Sequence, residues 1–300
     1  MIKNNLKKLC VVAFSIAALT FVGCSANNSG EETKKADQTY GEQMDYKITG
    51  IDAGSGVVQA AEQAMKDYNT KFTVQTSSGA AMTQALADAY QNEEPIIVTS
   101  WSPHWMFSKY DLKYLEDPKG SFGEAEHINT VVRNGLKEDK PNAYKILDKF
   151  AWTPADSEAV MLKINAGEDA KEIARQWITD NKDTVSKWTE GATKVDGEEI
   201  NIAYVAWDTE IASTNVIGLA LEDMGYDVKL TQVDAGPMWA AVASGDADAI
   251  VAAWLPATHA KYMEDYKGKF EDLGPNLEGA KIGLAVPSYM DINSIEDLAK

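Results

Sequence analysis

Three tryptophans stand at the ends of three apolar runs that read as β-strands: Trp101 closes IIVTSW, Trp207 closes INIAYVAW and Trp254 closes AIVAAW. In open α/β sheets the ligand site lies beyond the carboxyl ends of the strands, so indoles placed there point toward a site and not into a core. An indole face is the best aromatic surface for a desolvated cation. A box of three suits a quaternary ammonium group, which has no N–H to donate. Any one of these rings alone is better explained by packing; it is the shared position at three strand-to-loop transitions that makes them a set. Each desolvated contact contributes about 2 kcal/mol, so three supply roughly 6 kcal/mol before ordering costs. Micromolar recognition then needs help from elsewhere.

Two further features offer it. In Asp52-Ala53-Gly54-Ser55-Gly56-Val57 the glycines precede a helical pattern, VVQAAEQAMKDY, and leave backbone N–H groups at a positive helix end, a ready site for a carboxylate or phosphate. His259, five residues past Trp254 in WLPATH, adds a second donor. A fixed cation in the box and an anion a few ångströms away describe a zwitterion such as a betaine. The turn is no dinucleotide fingerprint, because Gln59 takes the third glycine position, and the chain has no Gly-Lys-Ser/Thr phosphate loop.

The elements that position these residues form a repeat. YKITGIDAGSGVVQAAEQAMKDY from Tyr46 and INIAYVAWDTEIASTNVIGLALEDMGY from Ile200 each read as strand, turn and amphipathic helix. Each continues through a small-residue helix into an apolar strand ending Trp-x-Pro, then an acidic turn, then a short apolar run, INTVV at 128–132 and IGLAV at 282–286. The pattern implies two similar α/β lobes facing each other, with Trp101 on the first, Trp207 and Trp254 on the second, and closure completing the box. The expected division is lobe 1 over 46–135 and 287–300, and lobe 2 over 136–286. Helical spacing over 141–188 marks extra helices in lobe 2, with Trp152, Trp177 and Trp188 packing there and Trp239 in the core. SIEDLAK opens like a helix and returns to the first lobe.

At 300 residues the chain is long for a single core. Its first 23 residues are a separate matter: Lys3, Lys7 and Lys8 precede an apolar stretch from Leu9 to Val22, the pattern of a secretory signal. The signal ends in FVGC, which resembles the bacterial lipobox and implies cleavage before Cys24 and its acylation. Residues 24–45 are nearly devoid of apolar side chains and read as a flexible, lipid-anchored tether. Cys10 leaves with the signal, so no disulfide or cysteine metal site is expected. The formal charge of −18 becomes −21 once the three signal lysines are gone, a surface that repels nucleic acid.

At these residues the chain resembles the substrate-binding lipoproteins of bacterial glycine betaine transporters of the ATP-binding cassette class. SPHWMFSKYDLKYLEDP, AYVAWDTEIASTNVIG and AAWLPATH carry the likeness, which runs from about Tyr46 to Lys300. The resemblance implies a two-lobed periplasmic-binding-protein fold, type II-like and circularly permuted, with the ligand cleft between the lobes. It implies a trimethylammonium cage of Trp101, Trp207 and Trp254, with the carboxylate held by the backbone amides of Gly56 and Val57 and by His259. It implies glycine betaine or proline betaine as ligand, a membrane permease as partner, a role in osmotic protection on the outer face of the cell membrane, no cofactor, no metal and no catalysis. Ala53, Ser100 and Ala257 depart from residues frequent in that family and bear on ligand ranking. Two alternatives stay open: a receptor for choline or carnitine, and an exported hydrolase using Ser55, His259 and Asp208. The hydrolase lacks a G-x-S-x-G elbow.

Overall fold

Short runs rich in Val, Ile and Thr build the sheets, and glycine or polar turns hand each of them to a helix. The computed structural model describes residues 38–299. The expected signal segment, Cys24 and the tether up to residue 37 lie outside the described residues, as does Lys300. The rest of the expected tether is a correction. Tyr40–Gln43 forms a short helix, α1, in which Thr39 and Glu42 satisfy each other's backbone groups as a capping box. Tyr40 and Met44 pack on the core, and Tyr40 Oη accepts from the Asp291 N–H at 3.0 Å. Two apolar anchors in a polar stretch are enough to dock residues 39–45.

The first sheet grows from β1 (Lys47–Gly50), α2 (Gly56–Asp67), β2 (Thr73–Thr76), α3 (Gly79–Gln91) and β3 (Val98–Ser102). Both crossovers are parallel, and Ser78 caps α3 through a bond from Ala81 N–H. A short helix, α4 (Met106–Lys109), leads to the edge strand β4 (Leu112–Tyr114) and then to β5 (Glu126–Arg133). Helix α5 (Leu136–Asp139) follows, and then α6 (Pro141–Lys149), α7 (Pro154–Asn165), α8 (Ala170–Asp180) and α9 (Lys182–Thr189), as the spacing over 141–188 predicts. Trp152, Trp177 and Trp188 are buried there as expected. Trp177 stacks on Trp188 at 5.7 Å, and Trp152 meets Trp177 edge-on at 5.9 Å. Such pairs add about 0.5–1.5 kcal/mol each beyond their buried area.

The second sheet repeats the plan with β6 (Glu198–Tyr204), α10 (Asp208–Asp223), β7 (Tyr226–Gln232), α11 (Ala235–Ser244) and β8 (Ala249–Leu255). Gly245, at φ +87°, ends α11 in the left-handed conformation that glycine adopts without strain. β8 is buried along its whole length, as a strand covered on both faces must be. After α12 (Ala260–Asp265) comes the long β9 (Phe270–Pro287), and a 3₁₀ turn, Ile295–Ala299, returns to the first sheet through the Glu116–Ser294 bridge.

β9 belongs to both sheets. Its first part, up to Ala280, pairs with β5; from Lys281 to Pro287 it pairs with β3 and β4. β5 in turn pairs with β8. The two orders are β2-β1-β3-β9-β4 and β9-β5-β8-β6-β7. The expected division therefore differs at the two apolar runs that close the repeat. INTVV lies in the second sheet and IGLAV in the first, each having crossed to the other half. An apolar run specifies a buried strand but not the sheet it joins, since antiparallel partners are chosen by tertiary packing. The result is the expected mixed α/β, two-lobed architecture with its cleft between the halves.

Candidate functional site

The two halves meet around a small apolar cavity. Its walls come from both halves: Ile51, Gly56, Val57, Trp101 and Ile282 on one side, Trp207, Glu210, Trp254 and Thr258 on the other. The three predicted indoles thus converge on one space, each less than a tenth exposed. Trp101 and Trp254 sit one residue from the ends of β3 and β8. Trp207 lies three residues beyond β6 and caps α10, so its strand is shorter than the apolar run suggested.

Two of the rings are fixed by bonds across the cleft. Trp101 Nε1 donates to Thr209 Oγ1 at 3.0 Å, and that hydroxyl donates to the Pro103 carbonyl at 3.3 Å. Trp207 Nε1 donates to Asp52 Oδ2 at 3.0 Å. Each of these two indole edges is thereby held by the opposite half, while the ring lines the cavity. His104 packs edge-on against Trp101 with ring centroids 4.5 Å apart. Its Nδ1 accepts from Met106 N–H, and its Nε2 stands 3.3 Å from Asp208 Oδ2. Burial raises the Asp208 carboxyl, yet the bonds and charge of His104 outweigh it and bring the group below its ordinary value.

The polar end of the cavity is built by the turn into α2. Ser55 is the N-cap but turns its hydroxyl to the Asp52 carbonyl, at 2.7 Å, and makes no cap bond to the helix. The first-turn amides, including those of Gly56 and Val57, are therefore left at the positive end of a three-turn helix. Thr258 faces them. A Cβ on Gly56 would stand 2.5 Å from the Thr258 carbonyl oxygen, so the absence of a side chain is what lets the two halves meet here.

His259 stands one layer behind that wall. Its ring lies along Trp207 at 6.4 Å and edge-on to Trp239 at 5.5 Å, which gives the core residue Trp239 a second use. Nδ1 accepts from Trp254 N–H at 3.0 Å. Burial pushes the imidazole down to about 3, so the ring is neutral with its proton on Nε2. That Nε2–H is buried and has no hydrogen-bond partner among the described residues. A neutral buried donor of this kind is suited to a carboxylate oxygen.

Several residues of the site escaped the sequence reading. Glu126 of β5 accepts from Ala257 N–H at 2.9 Å, Thr258 N–H at 2.7 Å and Thr258 Oγ1 at 2.6 Å, fixing the turn that carries His259. Thr209 and Asp52 hold the indoles, and Glu210 lines the cavity. Glu126 opens its strand in GEAEHINTVV, ahead of the apolar run, where an acid looks like surface. Only WDTE, packed directly behind a predicted cage tryptophan, carried a usable signal for Thr209 and Glu210. The residues weighed as a hydrolytic triad are engaged elsewhere: Ser55 with the Asp52 carbonyl, His259 with Trp254 and Asp208 with His104.

Two α/β halves closing on a small aromatic cavity define a binding protein. Residues 27–180 and 198–300 match the OpuAC family model, described as the substrate binding domain of an ABC-type glycine betaine transport system, and the chain belongs to this family. It is 54% identical over 298 residues to GbuC, a glycine betaine/carnitine transport binding protein of Listeria monocytogenes serotype 1/2a (strain 10403S), covering 98% of both chains. Lactococcal OpuAC in its closed-liganded conformation with glycine betaine is 49% identical, with a TM-score of 0.48 over 51% of this chain and 61% of that one. An ABC-transporter choline binding protein in complex with choline is 24% identical, with a TM-score of 0.46 over 64% of this chain and 67% of that one.

Proposed function

We propose that this chain captures glycine betaine and related betaines outside the cell and delivers them to the permease of an ATP-binding cassette importer, in the service of osmotic protection. The ammonium group sits among Trp101, Trp207 and Trp254. The carboxylate meets the amides of Gly56 and Val57 and the Nε2–H of His259. The observation that carries this reading is the convergence of three indoles and the uncapped start of a helix on one small cavity, with an unpartnered neutral imidazole donor one layer behind its wall. Cation and anion sites at opposite ends of so small a space select a short zwitterion. The chain acts as a binding component and not as an enzyme.

Titrating the purified protein with glycine betaine while following tryptophan fluorescence tests this directly, and saturable quenching or enhancement is expected. A His259→Ala variant should lose roughly tenfold to a hundredfold in affinity for glycine betaine, the effect of removing a hydrogen bond to a charged group. Its affinity for choline, which has no carboxylate, should change little. If wild type and variant prefer choline, the cage reading stands and the anion end is wrong.

The expected lipid anchor belongs to the same proposal: processing before Cys24 holds the protein on the outer face of the cell membrane. Radiolabelled palmitate should enter the wild-type chain in its host and not a Cys24→Ser chain. Equal labelling of the two would remove the anchor from the account.

A further inference from the structure

Glu210 is the acidic side chain that lines the cavity, and half of its carboxyl has a structural explanation. It is the third residue of α10, fully buried, and its Oε2 accepts from Val205 N–H at 2.7 Å. A glutamate at this position bonding back to the preceding turn is a familiar way to close a helix start. Oε1 is different. It is buried and finds no hydrogen-bond partner among the described residues, and it belongs to a side chain lining a space walled by indoles and aliphatic groups. A carboxylate oxygen in such a place costs free energy unless it is protonated or faces a positive charge.

We infer that Glu210 supplies the counter-charge for the ligand's ammonium group: the ligand-free protein holds it as the neutral acid, and the bound cation takes the place of its proton. The inference deepens the cage reading above and rests on it. Burial, opposed only by the Val205 N–H, pushes this carboxyl up to about 8, so it is largely protonated at neutral pH in the free protein. A fixed positive charge brought beside it in a dry cavity favours the ionised form, because Coulomb attraction is screened least there. The balance is simple. Glu210 loses its proton to the buffer, no bond to the ligand forms, and a charge pair remains within the cage.

The neighbouring ionisable groups do not provide this pairing. Asp52 is bonded to Trp207 Nε1, and His259 is neutral. Asp208 is paired with His104, and Glu158 of α7 is a partly buried acid raised by desolvation. On α8, Lys171 and Arg175 are matched to Glu222 and Asp223 at the far end of α10. No lysine or arginine lines the cavity among the described residues. Glu210 is thus the ionisable group positioned to respond to a cation inside it.

Calorimetry with glycine betaine in two buffers of different ionisation enthalpy, repeated between pH 6 and 8, tests the idea on the intact chain. Wild type should release most of one proton per ligand bound near pH 7, and its Kd should fall by roughly tenfold per pH unit up to about 8. E210Q, whose amide oxygen can still accept from Val205 N–H, should release none and bind with a flat pH profile, at least tenfold more weakly at pH 8. Tight binding by wild type with no proton release overturns this inference alone, as does an E210Q profile with the wild-type slope. Absence of glycine betaine binding to wild type at every pH overturns the cage reading and this inference with it.

Discussion

Trp254→Ala is expected to bind glycine betaine about a hundredfold more weakly than wild type. Losing one desolvated cation–π face removes about 2 kcal/mol, and truncating a ring that helps exclude water from a small ligand raises the cost toward roughly 3 kcal/mol. Trp254 is the informative choice. Trp101 and Trp207 also donate hydrogen bonds to the opposite half, so their removal mixes loss of the cage with loss of closure. Trp254→Phe should recover most of the affinity by keeping an aromatic face, whereas Trp254→Leu, apolar but without a π system, should not. Calorimetric Kd values for the three variants separate the readings. Equal binding by the leucine and phenylalanine proteins would mean that the cavity recognises apolar shape and not charge.

Gly56→Ala carries the second large effect, and it acts by geometry. The added Cβ would meet backbone atoms of Thr258, at 2.5 Å from the carbonyl oxygen and 2.9 Å from Cα, which cannot rotate away as a side chain can. Overpacking of this kind costs about 1–3 kcal/mol, a factor of roughly ten to a hundred in affinity. The halves relieve the overlap by staying apart, so the penalty should appear in ligand binding and not in the stability of the free protein. An unchanged thermal midpoint without ligand, a Kd raised by about fiftyfold, and a solution-scattering radius that no longer shrinks on adding glycine betaine form the expected set. A variant that contracts and binds like wild type would show that Gly56 and Thr258 do not meet in the bound form.

Much of this was legible in the residues themselves. Strands ending in tryptophan, a glycine turn before a helix and a histidine five residues past an indole are local patterns; the structure brings the indoles and the turn to one cavity and sets the histidine one layer behind, bonded to Trp254. The helices over 141–188 followed from apolar spacing alone. What sequence could not supply was pairing over distance. Thr209 is 108 residues from the indole it holds, and Asp52 is 155 from its own. Nothing in the local pattern of a threonine or an aspartate names so remote a partner. The same limit misassigned the two crossing strands, whose composition fixes burial but not neighbours. Glu126 and Glu210 were hidden for another reason: acids are ordinarily solvated, and only the fold shows these two enclosed.

The Thr209 hydroxyl has a kinetic meaning. It accepts from the Trp101 indole and donates to the Pro103 carbonyl across the two halves, so on the reading proposed above the orientation of that ring is settled only once the halves have closed on a ligand. Encounter then involves an incomplete box that admits many small cations at similar speed. Preference for one solute over another is written in how long it stays, and look-alikes are told apart by faster escape.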